Sequence, residues 1–460
     1  MPSRTDSRLR IAVLADSDTR WKWGALTARR LAERVPGTDT AEPRPASPDL
    51  DGFLLRGRAT PTPRQLDEVG AGADSLREVT LAQFLDHAQA LGPAAHEGRG
   101  DRAYDVIVLA LVGGAAQAAL HGLAARWRGH ARRPVVVTGY VGVVYEKLAD
   151  GLLLRHGADI VLANSRHDAL RFRAVYEGVG ADSRAVTEAA LPFLGGAAYR
   201  PEAGRDTVVF AAQPSVPESR ADRQYLLRRL AGHARRHPGR DVVLKLRSKP
   251  GEHTTHIEEH PYQRLARGMD LPPNVRLAYG NMGEVLDRAD LLVTVSSTAA
   301  LESLHRSVPT AVLTDLGVRE VLGNHHFLGS GCLTSWDRLD AGHRPEPDAA
   351  WLAAQGVAPG EAYQRAFDLA RERLGALLGQ ESLPPIAPYY TATTAPGHLP
   401  GLLARHHLAP DGTPLPGAAP AHEPTGLRRL IRDAVRDAAR GAYRHGVQRV
   451  APVIRRMGEL

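Results

Sequence analysis

An α/β chain of two Rossmann-like domains is predicted by three observations: short apolar runs of strand length, helical segments alternating with them, and a polar, glycine-bearing stretch that divides them into two series. The first series runs through 10–15, 105–112, 134–138 and 159–164. The helices expected between these strands include 25–35 and the alanine-rich segment after Gly113-Gly114. Residues 43–63 read as irregular. The stretch 195–206, GGAAYRPEAGRD, lacks an apolar period and is the expected hinge. The second series is 207–212, 241–246, 275–279, 290–295 and 310–313, with 221–236 as one of its crossover helices. Ligands are expected at the carboxyl ends of such strands. The resulting division is an N-terminal Rossmann-like acceptor domain (1–200), a C-terminal Rossmann-like nucleotide domain (205–380), a proline-rich surface segment (381–424) and a basic amphipathic helix (425–460), the two domains facing across a cleft.

A chain of 460 residues is long for one core, so two domains fit its length. Its formal charge is +7, but residues 425–460 carry nine arginines against three acids, so the body is nearly neutral. That distribution argues against a nucleic-acid partner. Cys332 is the single cysteine, which excludes an internal disulfide and suits a reducing compartment. The apolar run at 11–15 breaks at Asp16 and Asp18, and no run reaches the roughly 20 apolar residues of a membrane-spanning helix. A cytoplasmic protein is expected. In the tail, Leu427, Leu430, Ile431, Ala434, Val435 and Ala438 share one helical face, with arginines mostly opposite. Such a helix suits peripheral attachment to an anionic membrane surface, or packing back on the N-terminal domain.

The strongest local signal lies in RADLLVTVSSTAALES, where an apolar strand runs into Ser296, Ser297 and Thr298 and then directly into a helix. Free N–H groups and the positive end of the helix dipole converge there, a cradle for phosphate, although a helix cap alone also favours such residues. Glu302 follows Thr298 by four residues and could accept hydrogen bonds from ribose hydroxyls. Lys245, Arg247 and Lys249 alternate at the end of the strand in DVVLKLRSK. Cations there would neutralise a departing diphosphate, or form a solvated edge, the reading preferred for Lys249. His253, His256 and His260 lie among glutamates, but structural zinc sites usually recruit cysteines and Cys332 is distant, so no metal is expected. His253 could add a phosphate donor. In the first half Asp16 and Asp18 follow a strand end, and Glu146 closes the turn TGYVGVVYE. Any of these carboxylates could serve as general base toward a hydroxyl. Trp21 and Trp23 suit stacking on a sugar or packing.

Strand-to-helix residues Ser296-Ser297-Thr298-Ala-Ala-Leu-Glu302, with the basic strand end, resemble those of GT-B glycosyltransferases, in particular capsule-type transferases such as polysialyl- and Kdo-transferases, and the related teichoic-acid glycerophosphotransferases. The opening Asp16-Ser17-Asp18 followed by Lys22-Trp23 is similar to that of a group of actinobacterial glycosyltransferases. The resemblance implies nucleotide phosphates on Ser296, Ser297 and Thr298, ribose near Glu302, and Lys245 and Arg247 in place of the histidine of the family's His-Pro motif, which KLRSKP lacks. It implies a metal-independent, inverting enzyme with no cofactor beyond its nucleotide-sugar donor, and a glycan or lipid-linked acceptor. A nucleotide-sugar epimerase and a non-catalytic glycan-binding protein are the alternatives.

Overall fold

The computed structural model describes residues 8–33, 47–57, 59–88, 104–130, 132–143, 148–249 and 258–416. The chain divides into two units. The first comprises 1–193 with 353–420, and the second comprises 194–352 with 421–460. The tail 425–460 lies outside the described residues.

Unit 1 holds a seven-stranded sheet of β1 (Arg10–Ala15), β2 (Asp49–Leu55), β3 (Ser75–Val79), β4 (Val106–Ala110), β5 (Val135–Gly139), β6 (Ile160–Ala163) and β7 (Val186–Glu188), in the order 3-2-1-4-5-6-7. Unit 2 holds β8 (Thr207–Ala211), β9 (Asp241–Lys245), β10 (Val275–Ala278), β11 (Leu291–Thr294), β12 (Thr310–Leu313) and β13 (Leu333–Thr334), in the order 10-9-8-11-12-13. All pairings are parallel. Each sheet reverses direction once, between its first and fourth strands, and such a switch point opens a crevice at the carboxyl ends. The Rossmann-like fold is therefore present twice.

A repeated device sets strand register. An aspartate just before a strand accepts the N–H of a residue at or near the start of the neighbouring strand. Asp74 takes Leu50 N–H (2.7 Å), Asp105 takes Arg10 (2.9 Å), Asp159 takes Val136 (2.8 Å) and Asp290 takes Thr207 (2.9 Å). In a parallel sheet the first N–H groups have no intrastrand partner, so a carboxylate satisfies them and resists a slip by one residue. Asp105 and Asp290 do this across the two switch points.

Strand β2 lies in the stretch expected to be irregular. Its apolar run is short, and Asp51 within it is accommodated by Arg10, Ser75 and Tyr104. Helix Asp18–Ala32 crosses the centre of sheet 1, and Trp21 and Trp23 are fully buried. A Cβ on Gly52 would lie 2.6 Å from the Trp21 ring, and one on Gly139 would lie 2.8 Å from that of Trp23. Neither indole is available for stacking on a sugar.

The chain passes from unit 1 to unit 2 at 193–194, beside the expected hinge, and returns at 352–353. Segment 195–206 is fastened to unit 2: Tyr199 N–H donates to Arg306 O (2.6 Å), and the Tyr199 hydroxyl and Arg205 both reach Asp290. The chain then returns to unit 1, where helix Asp368–Leu378 packs on β5, β6 and β7. The proline-rich segment follows it. Ile386, Leu399, Leu402, Leu403 and Leu408 are buried in the unit 1 core. Proline carbonyls still need donors, and Arg133, paired with Asp159, supplies them to Pro384 O, while His121 bonds Tyr390 O (3.0 Å). The segment is a strap across unit 1.

Replacing Asp290 with Ala leaves the Thr207 N–H and Arg205 without their shared acceptor. A loss of about 3 kcal/mol in chemical denaturation of unit 2 is expected, with Asp290→Asn costing less.

Candidate functional site

At the unit 2 switch point the carboxyl ends of three strands share one row. Lys245 on β9 is in register with Ala211 on β8, and Ala211 with Thr294 on β11. Strand β8 lies between β9 and β11, so Lys245 and the serine turn are separated by two strand spacings, about 9.5 Å, rather than lying on adjacent strands. Strand β9 ends at Lys245, so the expected alternation stops there. Lys245 is buried, and its ammonium donates to Leu246 O (2.8 Å); Arg247 is half-buried and Lys249 exposed. The three cations do not project from one strand face.

The turn after β11 is organised by a residue that sequence reasoning missed. Gln213, two residues beyond β8, reaches across the switch point, and its Oε1 accepts from both Ser296 N–H (3.0 Å) and the Ser296 hydroxyl (3.2 Å). Ser296 is fully buried, and its single hydroxyl proton is shared between Gln213 Oε1 and Leu322 O, so the hydroxyl points into the protein. Ser297 is partly exposed. Its N–H donates to Thr294 Oγ1 (3.1 Å), and its Oγ accepts from Ala299 N–H (3.2 Å). Thr298 is the N-cap of helix Ala299–His305 but makes no side-chain cap. The three hydroxyls thus divide: one is spent inside, one caps, and one is left at the partly exposed edge.

Helix Ala299–His305 was expected to keep a solvent face bearing Glu302. Every residue of it is buried, Glu302 included, because β12 and helix Met282–Leu286 pack on it as well as β11. The loop after β12 is equally ordered: buried Asn324 binds Arg319 N–H, Leu313 O and Gly317 O. Arg223, also buried, ties Pro217 O and Gln213 O to Glu258 and His260 O, and so fixes the loop that carries Gln213. Burial raises the pKa of Glu258, and Arg223 opposes the shift. His253 lies outside the described residues.

At the unit 1 switch point the same construction recurs. Asp16, just beyond β1, accepts Val112 N–H just beyond β4 (2.9 Å) and pairs with Arg20 (2.9 Å). Ser17 rather than an aspartate caps helix Asp18–Ala32, accepting from Arg20 N–H (3.4 Å); Asp18 opens the helix and accepts from Thr19 (3.2 Å). Arg155 is buried beneath this rim, donating to the carbonyls of Leu111, Gly139 and Gly151. Glu146 lies outside the described residues.

A second polar cluster sits away from both rims. Candidate ligand atoms of His233, His237 and Asp340 lie within 4.8 Å of one another. Both nitrogens of His233 are engaged: Nδ1 lies 2.6 Å from Asp340, and Nε2 accepts from Arg240 (3.1 Å). Because the arginine must donate, that imidazole is the neutral tautomer with its proton toward Asp340. Burial likewise lowers its pKa. Arg229 and Arg236 also hold Asp340, making this a structural ion-paired knot.

The chain matches, over residues 11–371, the family described as "Putative glycosyltransferase (DUF6716)". No curated protein matches it. Among solved structures it is similar to UDP-GlcNAc 2-epimerase from Neisseria meningitidis bound to UDP-GlcNAc, at 10% identity over 80% of this chain and 100% of that one, with a TM-score of 0.48. It is similar to the UDP-GlcNAc 2-epimerase of Methanocaldococcus jannaschii at 8% identity, over 79% of this chain and 100% of that one, with a TM-score of 0.47. The glycosyltransferase SnogD from Streptomyces nogalater is similar at 16% identity, over 81% of this chain and 100% of that one, with a TM-score of 0.37. The family match runs from β1 through both sheets into helix Asp368–Leu378, and the chain belongs to this family.

Proposed function

We propose that the protein transfers a sugar from a nucleotide-sugar donor to a hydroxyl of a cell-envelope or capsular glycan, with inversion and without a metal. The observation that carries this reading is the turn Ser296–Thr298 at the unit 2 switch point, held by Gln213 with Ser297 and Thr298 at its partly exposed edge. In the proposal the donor phosphates meet the hydroxyls of Ser297 and Thr298 at the positive end of the helix, with Lys245 or Arg247 contributing charge from the β9 end and His253 a further donor. Glu302 receives the ribose hydroxyls. Ser296 supports the turn through its buried bonds instead of touching the ligand.

On the acceptor side, Asp16, Asp18 and Glu146 are the carboxylates proposed to assist removal of the hydroxyl proton. Asp16 already serves Val112 and Arg20, so its part in this proposal is chiefly to orient. The arginine-rich segment 425–460 is proposed to hold the enzyme at an anionic lipid surface, supported by its sequence pattern. Among the described residues no helix is long and apolar enough to cross a membrane.

Isothermal titration with CMP, CDP, UDP and GDP tests the donor site. At least one is expected to bind, and Ser297→Ala and Glu302→Gln are each expected to weaken it about tenfold, equivalent to roughly 1.4 kcal/mol. Absence of binding by all four nucleotides, or unchanged affinity in both variants, would refute the reading. Ser296→Ala separates support from contact: it should lower unfolding stability by about 1–3 kcal/mol through its buried partners, and Gln213→Ala should act in the same direction.

A further inference from the structure

Helix Arg220–Arg236 of unit 2 meets helix Trp336–Asp340 around one carboxylate. Asp340 receives Arg229 (3.4 Å), Arg236 (2.8 Å) and His233 Nδ1 (2.6 Å), all from the longer helix. His233 also reaches the other way: its Nε2 accepts from Arg240, which stands just before β9 and pairs with Asp206 (2.7 Å) just before β8. One fully buried imidazole therefore joins the two helices to the starting ends of β8 and β9. The same contacts leave neither nitrogen of His233 to a metal ion.

The partners of this ring allow one charge state. A guanidinium only donates, so Nε2 must keep its lone pair, and the single proton belongs on Nδ1 toward Asp340. A second proton, on Nε2, would point at the Arg240 guanidinium. The charges already gathered there make that worse. Among the described residues, the longer helix brings Arg229 and Arg236, the turn after it brings Arg240, and Arg344 approaches Asp206 (3.7 Å). Against these four cations stand Asp340, Asp206 and Asp337, the last paired with Arg229 (2.6 Å). A charged His233 would be a fifth cation among three carboxylates, with the His237 ring centred 4.6 Å from its own. Arg338, on the shorter helix, is exposed. Burial is the largest cause holding the His233 pKa below the ordinary histidine value; Arg240 and His237 add to the shift, and Asp340 opposes it.

We propose that His233 is an acid-sensitive latch, which makes the packing of helix Trp336–Asp340 on helix Arg220–Arg236 depend on pH. While the helices are packed, the ring takes a proton only by giving up its buried bond to Arg240. Once they separate, the ring meets water and titrates as an ordinary histidine. The sign follows from linkage. The packed state is fully stabilised above about pH 6.5, where both states are neutral, and loses stability as pH falls from there toward the lower value of the packed ring. The latch secures more than one short helix. Trp336, fully buried with its ring centred 5.4 Å from that of His233, starts the helix, and its N–H is held by Asp315 (3.1 Å), two residues beyond β12. Asp315 also accepts the Tyr225 hydroxyl (3.1 Å) from the longer helix. Separation of the helices thus reaches back to the carboxyl end of β12.

Hydrogen exchange of the full chain at the bonded amides of Leu339, Ala341 and Gly342 reads the separation, with protection measured relative to the free chain from pH 5 to 8. The opening constant is expected to be flat above about pH 6.5 and to rise below it by up to about tenfold per pH unit, the limit for one proton. In His233→Gln, whose amide is able to donate to Asp340 and accept from Arg240, the profile is expected to be flat throughout. A flat wild-type profile, or an unchanged slope in His233→Gln, overturns the latch. Long-range proton–nitrogen NMR correlation of the wild-type His233 ring at pH 7 needs no variant. A neutral ring protonated on Nδ1 is expected, and a charged ring or one protonated on Nε2 overturns the proposal.

Discussion

The structure depends on parallel strand register, held at both ends of each switch point. At the starting ends, Asp105 and Asp290 accept the N–H of the first strand in each sheet. At the carboxyl ends, Asp16 and Gln213 reach from that strand to the turn after the fourth. A one-residue slip would break both contacts at once and exchange side chains between the two buried faces of β1 or β8. The switch points are where a ligand crevice opens in such sheets, so the same bonds that set register also shape the two rims.

The two rims are built alike but equipped differently. In unit 2 a neutral amide, Gln213, does the bridging, which leaves the turn without negative charge and compatible with phosphate. In unit 1 a carboxylate bridges instead, offset by Arg20 and the buried Arg155. The prolines of the strap lower the entropy lost on ordering it, while Arg133 and His121 satisfy nearby carbonyls.

Much of the architecture was legible because buried parallel strands read as continuous apolar runs. Strands β1, β4, β5, β6, β8, β9, β11 and β12 all coincide with such runs. Strand β2 did not, because Asp51 and Gly52 interrupt it and their reasons, a polar cluster and the Trp21 ring, come from elsewhere in the chain. The serine turn was legible as a location but not in its division of labour. The Gln213 bridge, from 83 residues away, and Leu322 O together turn Ser296 inward. Likewise the alternation of Lys245, Arg247 and Lys249 presumed a strand that stops at Lys245. The strap runs largely over the surface as expected, and its anchoring leucines were not legible because they are spaced among prolines and join a core shared with distant helices, which has no local period.

The central claim is that the Gln213-held turn receives the donor phosphates. Hydrogen–deuterium exchange of the full chain with and without saturating UDP or CMP, whichever binds, tests it directly. The account predicts slowed exchange at the amides of 297–302 on nucleotide addition, with that protection lost in Gln213→Ala. Protection that falls elsewhere and leaves 297–302 unchanged would contradict it.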